Sequence, residues 1–346
     1  MIRKVTSRQQ LYLLITVLLS TLLIFGVVAP LFSQEKPDKP VTVSVLMSGE
    51  SRRERLAGLQ HGLEELGFHE GKQIKFHVVS AGENRQRLGV LAQELVKSNS
   101  AVIVVLGGLE ADAVQQAELA WQQKTGQSIP VVLAGVASVI ARGLQYNNRQ
   151  PQLTGVENLD AELTGKRLEY VTLLLPQAKR VGIVYEPGII PSEQGLLIAQ
   201  QVAPHLGLEI LEFPVRSGDD LLALETLLSP SSCDGLLLMP SFIIESAVKT
   251  FYRLSVHHKI PVFGLRVTDA SANYFASFGP NVYHQGRQAA RLVAKILKHT
   301  PVDQIPIETP DRVELVINLD IARQTDIPLT PEQLHYADHL AGRGAP

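Results

Sequence analysis

The side chains that could do chemistry in this chain are thinly spread, and the familiar reactive spacings are missing. There is no G-x-x-x-x-G-K-[ST], no G-x-G-x-x-G after an expected strand, no H-E-x-x-H and no G-x-S-x-G. His257 and His258 are adjacent on an expected helix, where consecutive side chains point apart, so they read as a solvated helix end rather than a metal site. Asp219 and Asp220 stand at a helix start, where carboxylates favour the dipole, and read as capping. Cys233 is the only cysteine. It cannot form an internal disulfide, and beside the apolar run 235–239 it reads as a small buried residue, since a redox or metal role needs partners the chain lacks. What remains is a set of neutral hydrogen-bonders, Ser48, Ser51, Ser138, Ser192, Ser241 and Thr268, with Glu110, Glu186 and Arg266 as the ionisable members. No acid, base or nucleophile is assembled among them, so they suit binding rather than catalysis, and no cofactor or metal is called for. A serine at a helix start is most often only a cap. Arg266 would suit a ligand carboxylate, with a surface ion pair as the alternative.

The elements that must position these residues alternate. Strands are expected over 41–47, 74–79, 101–106 and 129–134, with helices from 51, 85 and 110 between them. The first helix opens on the capping box Ser51 to Glu54. After a crossing strand over 153–156 and a helix from 160, a second series follows: strands over 181–185, 208–213, 235–239 and 260–264, and helices from 192, 219 and 243. The run 101–106 is continuously apolar, as in strands buried on both faces. This order predicts an α/β protein with two doubly wound parallel-sheet lobes. Ligands of such sheets lie beyond the carboxyl ends of the strands. Loops 47–51, 107–110, 135–139, 186–192, 240–242 and 265–270 would then face a shared cleft, adding Gly108, Ala137, Tyr185 and Phe242 to the candidates. The last sixty-odd residues join the halves. A helix over 282–299 buries Gly286, Ala289, Ala290 and Val293 and steps Arg287, Arg291 and Lys295 along the neighbouring face. A β-branched run from 313 then returns to a sheet, and Thr330 to Gln333 cap a final helix to about 340.

With 346 residues, 45% hydrophobic and 19% charged, the chain can fill two cores. A net charge of -2 and 5% aromatic residues argue against a nucleic-acid surface. Arg3, Lys4 and Arg8 precede an uncharged run over 11–32, which reads as an export signal with its N-terminus inside. Residues 1–34 are then a cleaved signal peptide or a retained membrane anchor, 35–40 a polar linker, and the folded part stands on the outer side of the cytoplasmic membrane.

Several segments, in order and spacing, carry a resemblance. They are Leu56-x-x-Leu59-x-x-Gly62-Leu-Glu-Glu-Leu66-Gly67, Leu91-Ala-Gln-Glu-Leu95-Val, Ile129-Pro-Val-Val, Leu153-Thr-Gly155-Val, Gly165-Lys-Arg-Leu168-Glu, Ser277-Phe-Gly279-Pro, Gly286-Arg-Gln-Ala-Ala and Glu314-Leu-Val-Ile-Asn318-Leu. Together they resemble the ABC-transporter substrate-binding family that includes tryptophan- and tyrosine-type binding proteins, over nearly everything from Val41 to about Leu340. The resemblance implies a type I periplasmic-binding-protein fold closing over a small molecule. Its lobes would be 41–155 plus 277–300 and 156–276 plus 301–340, with hinge crossings near Gly155, near Ser277 and after Pro301. It also implies an ABC permease and ATPase as partners. A ligand-sensing module acting on a membrane-bound signalling protein is the runner-up, and an enzyme comes third.

The chain departs from the family pattern at Ala137-Ser138-Val139, where members commonly carry Thr-Asp-Pro, at Phe242 and Asn281, where they carry aspartates, and at Ala272-Asn273, where they carry a glycine pair. The missing carboxylates would leave a ligand ammonium without a partner. The sequence therefore predicts a neutral or anionic ligand against Ser138, Ser241 and Arg266, or a cleft retuned for a protein partner.

Overall fold

The computed structural model describes residues 39–139, 142–144, 152–229 and 231–342. The expected signal or anchor segment lies outside these, and among the described residues no helix is long and apolar enough to cross a membrane. Strands β1 (Val41–Met47), β2 (Ile74–Ser80), β3 (Ser100–Val105), β4 (Val131–Val136) and β5 (Leu153–Glu157) form one parallel sheet in the order β2-β1-β3-β4-β5. Helices α1 (Arg53–Glu65), α2 (Arg85–Leu95) and α3 (Gly108–Thr125) connect them. Every residue of β4 is buried, as a strand covered on both faces requires.

The second sheet holds β6 (Arg180–Tyr185), β7 (Glu209–Pro214), β8 (Gly235–Leu238), β9 (Val262–Gly264), β10 (Ala276–Pro280), β11 (Val313–Asn318) and β12 (His339–Ala341), in the order β12-β11-β10-β9-β8-β6-β7. Only the β10–β11 pair is antiparallel. Its helices are α4 (Thr164–Leu174), α5 (Ile190–Val202), α6 (Gly218–Leu227), α7 (Phe242–Ser246), α8 (Val248–His258) and α9 (Val267–Ala272). After β10 come α10 (Val282–Leu297), α11 (Leu319–Gln324) and α12 (Pro331–His335).

The chain's late excursion links the two cores. Ala289, Ala290, Leu292 and Val293 of α10 pack with Val43, Val45, Leu59 and Leu63 of the first lobe. Val302 and Ile305 plug into the same core, and Glu308 stays hydrogen-bonded to Gly155 and Glu157 of β5. Residues 277–280, expected in the first lobe, are instead a strand of the second sheet. The second crossing therefore falls at Asn281 and the third between Thr309 and Val313. The proline-punctuated stretch misled because it has no period, although two of its side chains fill the first core.

Helices α1 and α10 touch backbone to backbone through glycines. A Cβ at Gly58 would stand 2.0 Å from the carbonyl oxygen of Tyr283, and one at Gly286 2.1 Å from that of Arg55. Two helix ends differ from expectation. Ser51 is exposed and caps nothing, because a short 3-10 turn (Glu50–Arg52) precedes α1. The Thr330–Gln333 capping box forms, but its helix stops at His335 and residues 339–341 add an edge strand beside β11.

Candidate functional site

A cavity of about 190 Å³ lies between the lobes. The first lobe lines it with Arg52, Arg55, Arg85, Gly107, Gly108, Leu109, Asp112, Gly135, Ala137 and Arg142. The second supplies Asn158, Asp160, Gly188 to Pro191, Pro240 to Phe242, Glu245 and Arg266. At about 30 Å³ per water, the space suits a compact solute. Residues from the C-terminal ends of β1, β3, β4, β6, β8 and β9 converge on it, as two facing parallel sheets dictate.

The floor is ionic. Arg52, almost wholly buried at the end of the turn after β1, donates from Nε to Glu110 and from Nη1 to Glu245, both at 3.2 Å. Glu245 also meets Arg266 of its own lobe at 3.3 Å. Burial pushes the Glu245 carboxyl up, but Arg266 and Arg52 outweigh it and hold the group down at about 2. Asp160 balances differently. It accepts from Asn158 Nδ2 at 2.8 Å and lies 3.8 Å from Arg167, and burial lifts it to about 6 despite the surrounding guanidinium groups. Arg167 spends its donors on the carbonyls of Asp160, Leu265 and Phe278, and burial lowers it to about 10. Arg55 donates to the Leu106 carbonyl at 2.5 Å and to Gln285 at 2.9 Å. Burial, with repulsion from Arg52 and Arg266, lowers it to about 9.

The rim is looser. Arg85 stands 3.7 Å from Glu186 and rides 5.2 Å above the Phe242 ring. Ser138, held in the left-handed region at φ 52, donates to Gln194 of the second lobe at 2.6 Å. Arg142 pairs with Asp112 at 2.5 Å and donates to the Ala137 carbonyl at 2.9 Å.

Of the residues expected from sequence, Gly108, Ala137, Ser241, Phe242 and Arg266 line the cavity. The others lie outside that lining. Ser48 is buried and donates its backbone N–H to Glu110, which thereby ties β1 to Arg52. Glu186 receives Arg85 at the rim, and Tyr185 donates its hydroxyl to Glu212 on β7. Ser51 is exposed, Thr268 sits half-buried in α9, and Asn281 caps α10 through the N–H groups of Tyr283 and His284. Ser241 caps α7 while facing the cavity.

Sequence reasoning missed Arg52, Arg55, Arg85, Asp112, Arg142, Asp160 and Glu245. A signal existed for one of them: Arg55 falls four residues before Leu59 and eight before Leu63, on the buried stripe of α1. The family carboxylates missing at Ala137-Ser138-Val139, Phe242 and Asn281 are not the cleft's only possible acids, since Asp112, Asp160 and Glu245 line it, each held by an arginine. Among the described residues no group of histidine, cysteine and acidic side chains could hold a metal ion.

Two α/β lobes, linked by three passages of the chain and enclosing a polar cavity, define a two-lobed binding-protein architecture. The model of the family described as ABC transporter substrate binding protein matches residues 40–340, and the chain belongs to that family. It is 22% identical over 296 residues to the tyrosine-binding protein of Clostridioides difficile, covering 85% of this chain and 83% of the relative. Among solved structures, a conserved domain protein of Vibrio cholerae superposes with a TM-score of 0.78 at 24% identity, covering 87% of this chain and 100% of that one. An ABC domain from Streptococcus pneumoniae in complex with L-Trp gives 0.76 at 20% identity, covering 87% and 99%.

Proposed function

We propose that the chain is an extracytoplasmic solute-binding protein that captures a small molecule between its lobes and delivers it to an ABC importer. One observation carries this reading. The cavity is walled by both lobes, and Arg52 reaches across it to Glu245. A site split in this way couples ligand contact to lobe closure, and closure about the three crossings is what a permease partner can recognise. The relatives' names, tyrosine-binding and L-Trp-bound, support a solute of amino-acid size.

The test is calorimetric titration of the full-length chain with amino acids, small carboxylates, sugars, nucleobases and vitamins, followed by small-angle scattering. A bound solute that shrinks the radius of gyration is the expected result, and at a hundredfold excess over Kd it adds about 2.7 kcal/mol of stability. A folded chain that binds none of them overturns the reading.

A further inference from the structure

We propose that the pole of the first lobe, at the far end of its sheet from the cleft, is a docking surface for an anionic lipid bilayer. It concerns a face that the cleft solute does not touch and goes beyond the solute-binding reading.

Parallel strands set the two ends of the lobe apart. The C-terminal ends of β1, β3 and β4 point toward the cleft, so their first residues and the last turns of α1, α2 and α3 gather at the opposite pole. Helix α10 runs alongside α1 in the same direction, Gly58 against Tyr283 and Gly62 against Ala290, and ends there too. Basic residues are sorted along that axis. Arg52, Arg55, Arg85 and Arg142 line the cleft, whereas Lys39, Lys72, Lys75, Lys97, Lys124 and Lys298 stand exposed at the pole. Lys295, the lobe's other lysine, is turned to Glu308 at 4.0 Å. None of the six is in an ion pair among the described residues, where Lys166 and Lys259 of the second lobe are. They outnumber the exposed acids of the same pole, Glu64, Glu70, Glu94 and Asp303. Lys97, Lys124 and Lys298 end helices, whose dipoles favour a cation. Helix ends account for none of Lys39, Lys72 and Lys75, which sit in or just before β1 and β2.

Apolar side chains lie among these charges. Val41 and Leu66 are 42% and 41% exposed, and the Lys298 ammonium stands 5.9 Å from the centre of the half-buried Phe68 ring. Between α2 and α3 a groove of about 260 Å³ is walled by Val96, Ala113, Ala117, Ala120 and Trp121, with Lys97 and Lys124 at its pole end. Next to Lys97 along the chain, Ser98 and Asn99 open a recess of about 350 Å³ shared with Thr42, Lys75 and His77. The Lys75 ammonium, Thr42 hydroxyl and Asn99 amide there suit the oxygens of a phosphate headgroup. Lysines with apolar stems, an indole with a polar N–H and exposed aliphatic residues, side by side, match a headgroup interface, where each part meets its own medium. A soluble polyanion would use the lysines and gain nothing from Val41, Leu66 and Trp121.

The chain also enters the fold here. Residues 33–40 span at most about 29 Å when extended, so a retained 11–32 segment would make this pole the part of the fold nearest the bilayer. Docking by the pole leaves the cleft clear of the membrane.

Trp121 is the chain's only tryptophan and reports on this face directly. The full-length chain is reconstituted with vesicles of phosphatidylcholine alone or mixed with phosphatidylglycerol, each carrying a headgroup spin label as quencher. Quenching of Trp121 is expected to be stronger with phosphatidylglycerol and to fall as salt rises. Lys72→Gln with Lys75→Gln should lower the docked-to-free ratio about fivefold per lysine. Lys179→Gln with Lys249→Gln, which removes the same charge from exposed positions of the second lobe, should leave quenching unchanged. Quenching that is the same in both lipids, that the Lys72 and Lys75 changes leave untouched, or that drops equally in the two double variants overturns the inference. Trp121 emission that follows protein concentration and not lipid would give the face to a second copy, and overturns it as well.

Discussion

Arg52 and Glu245 meet at 3.2 Å across the cleft from opposite lobes, and each keeps a second partner on its own side, Glu110 for Arg52 and Arg266 for Glu245. Opening the cleft would therefore break this pair, together with Arg85–Glu186 at the rim, without leaving Arg52 or Glu245 alone. A buried charge stripped of its only partner costs roughly 3–5 kcal/mol, which would lock the lobes shut. In the proposed closing motion, the doubled pairing leaves Arg52 and Glu245 each with a partner in both the open and the closed form.

Glu245→Gln should weaken this latch while preserving its shape. Arg52 and Arg266 retain Glu110 and Asp269. Overall stability is then expected to fall by about 1–2 kcal/mol, short of the orphaned-charge cost. The ligand-free radius of gyration should increase, and solute affinity should drop about tenfold as the competent closed form becomes rarer. Scattering and urea unfolding of the same variant decide it: a large stability loss with unchanged dimensions would mean that the pair is structural only.

The helix contact beneath the cleft gives a contrast between two glycines. Gly58→Ala drives a methyl to within 2.0 Å of the Tyr283 carbonyl, so α1 and α10 must separate, with an expected loss of about 3 kcal/mol or more. Gly89→Ala, in α2, meets nothing within 4 Å and should gain about 0.5–1 kcal/mol from helix propensity and a less free unfolded chain. Thermal or urea unfolding reads both, and similar effects at the two positions would contradict the packing argument.

The alternation of strands and helices was legible because burial imposes it. Runs such as 101–106 and 131–136 have nowhere to be except inside a sheet covered on both faces. Loops were therefore readable as cleft positions, which is how Gly108, Ala137, Ser241, Phe242 and Arg266 were reached. The ionic floor was not readable in the same way. Arg52, Asp160 and Glu245 sit in or beside helical turns, where a charged residue is ordinarily solvated. Their burial depends on the facing lobe, and no local period encodes that lobe's position. The serines are hard to sort for another reason: Ser138 bonds across the cleft to Gln194 and Ser241 caps α7 while lining the cavity, roles that residue type alone cannot distinguish from ligand contact.

Asp160 makes the cleft sensitive to pH in a defined direction. Its folded value, about 6, stands above the ordinary 3.8, because burial outweighs Arg266, Arg167 and Arg55, with Glu245 adding repulsion. Between those values the folded chain holds a proton that the unfolded chain has released, so stability falls as pH rises from about 4 to about 6. Glu245 acts in the opposite sense. Held at about 2 against an ordinary 4.5, it contributes stability above 4.5 that is lost as pH falls toward 2. Wild-type stability alone mixes the two contributions, and the difference from Asp160→Asn separates them. The variant's stability relative to wild type should climb between pH 4 and pH 7 by on the order of 2 kcal/mol, since only wild type has to ionise a buried carboxyl there. Urea midpoints at half-unit intervals measure it. A difference that stays flat across this range would mean that Asp160 is already charged at pH 4, stabilised by Arg167 and Asn158 more strongly than burial opposes it.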